Sequence, residues 1–365
     1  MDEAVGMTTI DSETLPEGTA DRPLVTFALF AYNQEKYIRE AVEGAFSQTY
    51  EPLEIILSDD CSSDRTYEIM QEMAEGYRGS HRVRLRRSEV NRGLGIHIRY
   101  VVEIARGYLI VVAAGDDVSL PHRTISLVEL IEDENSLFAA SNYNTMHDNG
   151  ELTGENIQND YTGNYLWSIT DADPKHFANG AAAAYRRDFL QAALYAARKA
   201  IETGNLYNED ILFAAFAVAV SQLPSEYTSG ALINYRINPL SLSNFRVQNA
   251  TIGAEILLIE RESFRARSRL ACLQAVNEIA ESYPELDKKL RRKLIQSDMR
   301  LSLIEIAACS PRFLTRLPQL AKAKTLKELR IFLARLFGVR ALATARVLKR
   351  RIKANLASEV SHEEG

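Results

Sequence analysis

Two aliphatic runs in this 365-residue chain meet acids. Leu109 to Ala114 runs into Gly115-Asp116-Asp117, and Asn208-Glu209-Asp210 opens another apolar stretch further on. Carboxylates placed where a buried strand meets solvent can hold Mg2+ or Mn2+, which prefer oxygen ligands and take one or two carboxylates plus substrate phosphates. A separate carboxylate can accept a proton from an incoming hydroxyl. Metal-bound diphosphate and a general base are together what group transfer from a nucleotide donor requires.

Each acidic motif also has a plainer reading. Asp116-Asp117 can belong to an ordinary strand–loop–helix connection, with Pro121 marking the loop. Asn208-Glu209-Asp210 can cap a helix, where free amides and the dipole favour acids. A capped helix end would also hold a carboxylate rigid and ionised, so the two readings are compatible. Asp171-Ala172-Asp173 has the spacing of a metal motif but follows no aliphatic strand, and it is set aside. Asp59-Asp60 closes another apolar run; one carboxylate there could accept the N–H of a uracil-like base, or the pair could be a polar loop. Tyr32, in the loop Ala31-Tyr32-Asn33-Gln34-Glu35, could stack on a base or pack as a core aromatic. Asn91-Arg92-Gly93-Leu94-Gly95 lacks the GK[ST] of a Walker loop and the third glycine of a dinucleotide fingerprint. Arg92 is left as a phosphate candidate or a solvated side chain.

Elements able to position these residues are legible in the pattern. Leu24–Phe30, Leu53–Leu57, Val83–Leu85 and Leu109–Ala114 read as strands. Between them, Ile38, Ala41, Val42, Ala45 and Phe46 fall at helical spacing, as do Tyr67, Met70, Met73, Ala74 and Tyr77. Ser62, Ser63 and Asp64 offer caps to the second of these helices. A third helix follows Gly93 and runs to Ala105. Such alternation predicts a largely parallel sheet covered on both faces. Ligands on these sheets sit beyond the strands' carboxyl ends, where the polar clusters after Phe30, Leu57 and Ala114 all fall. Further on, a helix at Ile125–Ile131, a strand at Phe138–Asn142, a loop over 144–165, a strand or turn at Ala181–Tyr185 passing into a helix, a buried helix from Asp210 to Val220 and a last strand at Ala231–Tyr235 are expected. Beyond Thr251 the pattern is helical.

Composition narrows the class. Hydrophobic residues make up 46% and charged residues 25%, as in globular proteins. The longest wholly apolar run, Ile211–Val220, has ten residues, against the roughly 20 of a spanning helix, so no transmembrane segment is expected. Residues 1–22 carry six acids against Arg22 alone and read as a disordered tail. Cys61, Cys272 and Cys309 form no CxxC pair, which argues against a thiolate zinc site and fits a reducing cytosol. The six histidines show no HxxxH or HExxH spacing. Residues 311–353 hold thirteen Lys or Arg and one acid, a local sum of +12 against −6 overall, so the remainder carries −18. An acidic body with a basic tail suggests contact with anionic lipid or a partner. The tail's Leu348, Ile352 and Leu356 share a stripe beside Lys349, Arg350, Arg351 and Lys353, a pattern of interfacial helices and also of a helix packed on protein. The basic segment has no interleaved aromatics, which argues against nucleic acid.

In order, the chain shows YNxExYI after strand one, DDxSSDxT after strand two, NRG before a helix, DD after a strand, ED, and YRxxxxSxS. This series, from Pro23 to Asn244, resembles the inverting family 2 glycosyltransferases with a GT-A nucleotide-diphospho-sugar fold. The resemblance implies a GT-A domain over 23–249 with a mixed, mostly parallel sheet, followed by a helical basic region over 250–365. It places Ala31, Tyr32, Asn33 and Glu35 at the nucleotide edge, with Asp59 or Asp60 reading the base and Arg92 nearby. Asp116 matches the metal-binding acid and Asp117 the acid after it. Asp210 matches the general base, with Glu209 beside it. Tyr235, Arg236 and Ser241 match a late motif that closes over the diphosphate.

The same resemblance implies a metal-assisted, inverting transfer from a nucleotide sugar, UDP-linked by preference, to a glycan or lipid-linked acceptor. A cytoplasmic place, peripheral to the membrane through the basic tail, is the matching expectation. Loops over 144–186, with Trp167, would face the acceptor. Three positions depart from the family pattern. The first acid of DxDD is Ala114, a metal-contacting histidine of the late motif is Asn238, and Arg99 stands for an asparagine. The missing acid leaves room for a non-catalytic relative that binds sugar nucleotide or glycan. A nucleotidyltransferase is the other rival, although Phe30–Glu35 has none of the glycine its signature needs.

Overall fold

The computed structural model describes residues 7–9, 18–19, 21–131, 136–157, 180–202, 213 and 226–237. The first half contributes β1 (Met7–Thr9), β2 (Val25–Ala31), α1 (Ile38–Phe46), β3 (Leu53–Asp59), α2 (Thr66–Gly76), β4 (Arg82–Arg87), α3 (Leu94–Ile104) and β5 (Leu109–Ala114). Then come β6 (Val118–Ser119), α4 (Arg123–Leu130), β7 (Phe138–Met146), β8 (Leu152–Ile157), β9 (Ala183–Arg186), α5 (Arg187–Ala196), α6 (Arg198–Glu202) and β10 (Glu226–Arg236).

The strands form one sheet in the order β1-β4-β3-β2-β5-β9-β7-β10-β6, with β8 paired to β7. Strands β2, β3, β4 and β5 are parallel neighbours. The antiparallel β9 joins β5 to β7, and β10 runs parallel to β7. Six of the ten described strands therefore point one way, a mixed and mostly parallel sheet.

Helices cover both faces because the central strands are apolar on both. In β2, Val25, Phe27 and Leu29 pack towards Ile38, Val42 and Met70 of α1 and α2, while Ala28 and Phe30 pack towards Ile98, Val101 and Leu190 of α3 and α5. β3 repeats the division, with Ile55 and Leu57 on the first face and Ile56 on the second. Each such side chain contributes about 1.5–3 kcal/mol on burial. At the amino edge the buried Glu54 accepts from Thr26 Oγ1 and Arg106 N, both at 2.5 Å, and pairs with Arg84 at 3.3 Å. That ionic cluster ties three neighbouring strands together far from the carboxyl edge.

Register brings the carboxyl ends level. Ala31 lies opposite Asp59, Asp59 opposite Arg87, and Phe30 opposite Ala114. Arg236, the last residue of β10, lies opposite Met146, so the second half ends its parallel strands at the same edge.

Several expectations are corrected. Residues 7–9, assigned to a disordered tail, form an edge strand antiparallel to β4. The pairing is made by backbone groups, which an acidic composition does not forbid. Residues 144–157, expected as loop, contain the end of β7 and the antiparallel β8. Their polar side chains are tolerated because the ladder is again backbone-made, and Asn144 Nδ2 donates to Asn234 Oδ1 at 3.0 Å. Helix α2 begins at Thr66, later than the Ser62–Asp64 caps suggested; Asp64 Oδ1 accepts Thr66 N at 3.0 Å. The helical region expected beyond residue 250 lies outside the described residues.

Candidate functional site

Four backbone segments converge on the carboxyl edge: 31–35, 59–62, 115–117 and 146–148. The acidic turn after β5 sits among them. Gly115 lets the chain pass close to the first loop; a Cβ there would lie 2.4 Å from Gln34 Oε1 and 3.1 Å from Ala31 Cβ. Asp116 is half-buried and Asp117 buried. Asp117 Oδ1 accepts Arg236 N at 2.9 Å, whereas its buried Oδ2 has no hydrogen-bond partner among the described residues. Burial raises the pKa of both acids, and for Asp117 the Asp116 charge raises it further. Arg123 and Arg236 act in the opposite sense on Asp117. A buried carboxylate oxygen without a donor is costly unless a proton or a cation meets it. The turn therefore fits a divalent cation that takes its other ligands from phosphate and water. Among the described residues no three His, Cys, Asp or Glu side chains converge as a metal cage of their own.

Two arginines hold this turn from behind. Arg123 is fully buried and donates to Ser119 Oγ at 2.8 Å and to the carbonyls of Val112 and Ala181 at 2.7 Å. Burial pushes its pKa down to about 9, against the pull of Asp117. Arg236, expected against a diphosphate, is engaged differently. Its guanidinium donates to Asp116 O at 2.9 Å, His147 O at 3.2 Å, Asp148 O at 3.0 Å and Glu40 Oε2 at 2.9 Å. It also lies 4.8 Å over the Tyr37 ring and is 1% exposed. Arg236 is a bracket under the acidic turn, joining it to α1 and to the turn after β7. Tyr37 bonds Asp148, and burial and that bond push its pKa up to about 12. Tyr235 stacks at a tilt on Tyr143, ring centroids 5.0 Å apart.

The 31–35 loop is laced to the 61–66 segment. Asn33 takes a left-handed φ of 52°, which asparagine tolerates better than most residues. Its N donates to Ser62 Oγ and its Oδ1 accepts Ser63 N, both at 2.9 Å. Glu35 N donates to Asp64 Oδ2 at 3.1 Å, and Glu35 Oε2 accepts Arg65 N at 3.0 Å. Ala31 is buried, and its carbonyl accepts Asp60 N at 3.0 Å. Asn33 and Glu35 thus shape the loop. Tyr32, 46% exposed, is the aromatic side chain the loop offers to solvent, beside the exposed Asn33 and Glu35.

Both aspartates of the 59–60 pair are buried. Asp59 accepts from Ser62 N at 2.9 Å and from Ser62 Oγ, and faces Arg87 Nε at 3.5 Å. Burial nonetheless raises its pKa. Asp60 accepts Arg92 N at 3.2 Å and Gly93 N at 2.9 Å, fixing the entry to α3. Arg92 itself is exposed. Behind the pair, Ser58 Oγ meets His97 Nε2 at 2.6 Å and accepts Arg86 Nη1 at 3.0 Å. Burial, then the Arg86 charge, lowers the His97 pKa to about 3, so the ring is neutral.

Asp116, Asp117, Arg236, Tyr32 and the 59–60 pair thus share one edge. Asp210, Glu209, Ser241, Asn238, Trp167 and the Asp171-Ala172-Asp173 motif lie outside the described residues. Sequence reading missed Gln34, Glu40 and Arg123. Gln34 sat between two residues of a motif without a periodicity of its own, and the partners of Arg123 are carbonyls, which leave no mark in a sequence.

Fold and site together define an α/β domain of the GT-A kind: a mixed sheet, helices on both faces, an acidic strand end at the carboxyl edge. Residues 26–194 match the model described as Glycosyl transferase family 2, and this segment is a family 2 glycosyltransferase domain. EpsE of Bacillus subtilis (strain 168) is 34% identical over 110 residues, covering 30% of this chain and 39% of EpsE. The Escherichia coli UDP-Glc:alpha-D-GlcNAc-diphosphoundecaprenol beta-1,3-glucosyltransferase WfaP is 30% identical over 120 residues, 33% of this chain and 46% of WfaP. The chain thus spans less than half the length of these two relatives. S. aureus TarS 1-349 in complex with UDP-GlcNAc superposes with a TM-score of 0.49 and 16% identity, over 85% of this chain and 90% of that one.

Proposed function

We propose that this chain transfers a sugar from a nucleotide-diphosphate donor, a UDP-sugar by preference, to a hydroxyl of a glycan or lipid-linked acceptor with inversion. The observation that carries this reading is the acidic turn, where Asp117 keeps a buried oxygen without a partner among the described residues, beside Asp116 and level with the exposed Tyr32. Tyr32 stacks the base and the Asp60 turn borders it. Asp116 and Asp117 would hold Mn2+ or Mg2+, which when bound would offset the charge of the departing diphosphate. Arg236 keeps the turn in place from behind. Asp210, assigned from sequence with Glu209 beside it, accepts the acceptor's proton as its oxygen attacks from the face opposite the diphosphate. Ser241 and Tyr235 border the diphosphate, and residues 144–186 face the acceptor. The printed name of WfaP, with a UDP-sugar donor and a lipid-diphosphate acceptor, supports both classes.

Incubating the chain with a panel of sugar nucleotides and Mn2+ tests the reading. Release of nucleoside diphosphate is expected, and Asp210→Asn should abolish it while keeping donor binding. Pyrophosphate chemistry would instead indicate a nucleotidyltransferase. Binding without turnover would indicate a non-catalytic relative, the reading that Ala114 at the first acid position favours. The basic segment over 311–353 is proposed to bring the chain to an anionic membrane on the cytoplasmic side.

A further inference from the structure

We infer that Arg87 is a positioning residue for the base half of the donor site: its guanidinium clasps the turn over residues 59–62 and, through Ser62, sets the backbone that carries Tyr32. The inference rests on the proposed donor site and extends it to a side chain outside the reacting groups.

Sheet register puts the clasp in place. Arg87, the last residue of β4, lies opposite Asp59, the last of β3, where the turn leaves the sheet. Successive side chains of a strand point to opposite faces. Arg86 closes one face, donating to Ser58 Oγ and Ser88 Oγ at 3.0 Å each, while Ser88 N donates to Asp59 O at 2.9 Å. Arg87 closes the other. Its Nε stands 3.5 Å from Asp59 Oδ2, and its Nη2 donates to Ser62 O at 2.9 Å. Its guanidinium carbon lies 4.6 Å from the centre of the Tyr67 ring. One planar group thus meets a carboxylate, a carbonyl and a ring face at once, a combination that the point charge of a lysine does not reproduce.

The turn so held supports the neighbouring loop. Ser62 Oγ donates to Asp59 Oδ1 and accepts Asn33 N at 2.9 Å. Asn33 needs that support, because its φ of 52° is left-handed. Tyr32 precedes Asn33 and Asp60 follows Asp59, so both groups that border the base hang on the clasped turn. Asp59 is fully buried, and a buried carboxylate that loses its cation is poorly compensated. Taking the guanidinium away therefore loosens the turn, and with it the fixed acceptor of Asn33 N. The acidic turn after β5 has separate supports in Arg123 and Arg236. A fault in the clasp should accordingly reach the base half and spare the metal half.

Calorimetric titration of the wild-type chain, Arg87→Ala and Arg87→Lys tests this. UMP, GMP and dTMP in EDTA report the base half; the matching diphosphates with and without Mn2+ report the gain from the metal. In Arg87→Ala the affinity for the preferred monophosphate should fall roughly 10-fold, within what the stacking of one base contributes. The factor gained from Mn2+ should stay within about twofold of the wild type, as for an independent site. Arg87→Lys, which keeps the charge and loses the fork, should resemble Arg87→Ala. Tyr67→Leu, which removes the ring beneath the guanidinium, should show the same selective loss and serves if the arginine variants fold poorly. Unchanged monophosphate affinity in the folded variants overturns the inference and leaves the donor site standing. Wild-type affinity in Arg87→Lys overturns it too, by reducing Arg87 to a charge. Loss of the Mn2+ gain along with the monophosphate overturns it as a general structural effect. A wild type that binds none of these nucleotides overturns the donor-site reading and the inference with it.

Discussion

At the scale of single residues, the site is an electrostatic conflict held in place. Asp117 is buried, close to a second acid, and has one oxygen without a donor among the described residues. Arg123 and Arg236 relieve this only partly, because their own donors go to carbonyls, a serine and Glu40. With its pKa raised, the Asp117 carboxyl in the folded chain keeps its proton to higher pH than in the unfolded chain. The stability that proton provides is fully present below the unfolded value and is lost as pH rises through the folded one. Asp117→Asn removes the charge, while its amide oxygen can still accept Arg236 N. In metal-free buffer the variant should match the wild type near pH 4 and exceed it near pH 8, by on the order of 1–2 kcal/mol in urea unfolding. Its Mn2+-linked nucleotide affinity should fall. A wild type that stays the more stable at pH 8 without metal would show that the buried oxygen carries no such cost. Little of this was legible beforehand. The acid pair itself could be read from its place after an aliphatic run, but Arg236 reaches Asp116 O from 120 positions away, through a carbonyl that no residue type announces.

At the scale of elements, the acidic turn is placed by how closely its neighbours approach. β6 follows Asp117 directly and packs beneath α1, where a Cβ on Gly44 would lie 3.0 Å from both Ser119 N and Ser119 O. Those are backbone atoms with little freedom to retreat. Replacing a helical glycine ordinarily gains up to about 1 kcal/mol; here the sign should reverse. Gly44→Val is expected to destabilise by about 1–3 kcal/mol, read from the denaturant midpoint, and to weaken Mn2+-linked nucleotide binding by moving β6 and the turn. Enhanced stability in that variant would mean α1 does not set the turn. The elements readable in advance are those with strong aliphatic signals, β2, β3 and β5, together with α1 and α2, whose apolar spacing matches their buried faces. β6, β8 and the antiparallel course of β9 escaped, because two-residue or polar strands carry no alternation. Strand direction is also fixed by how the chain returns rather than by any local preference. The motif residues Asn33 and Glu35 were legible as a cluster but not as the latch they form, since that depends on the 62–66 segment lying opposite.

At the scale of the whole chain, the dominant feature is charge separation. Residues 311–353 sum to +12 and the remainder to −18, so a uniform attraction to an anionic surface is excluded and any association must be led by the basic end. No helix among the described residues is long and apolar enough to cross a membrane. A peripheral contact through the basic segment would rest on electrostatics, worth about 1 kcal/mol for each Lys or Arg near an anionic bilayer, together with the stripe of Leu348, Ile352 and Leu356. Such attraction reaches only about 10 Å at 0.1 M salt, so the acidic body repels weakly once held away from the surface. Six of the basic side chains lie in 340–353. The full chain is expected to float with phosphatidylglycerol vesicles at about 0.1 M salt, to detach by about 0.5 M, and to ignore phosphatidylcholine vesicles. Removing residues 340–365 should abolish flotation while leaving nucleotide binding at the sheet edge unchanged. Flotation that survives the truncation would discard a membrane role for that segment, and binding that resists salt would shift the weight from its charges to its apolar stripe.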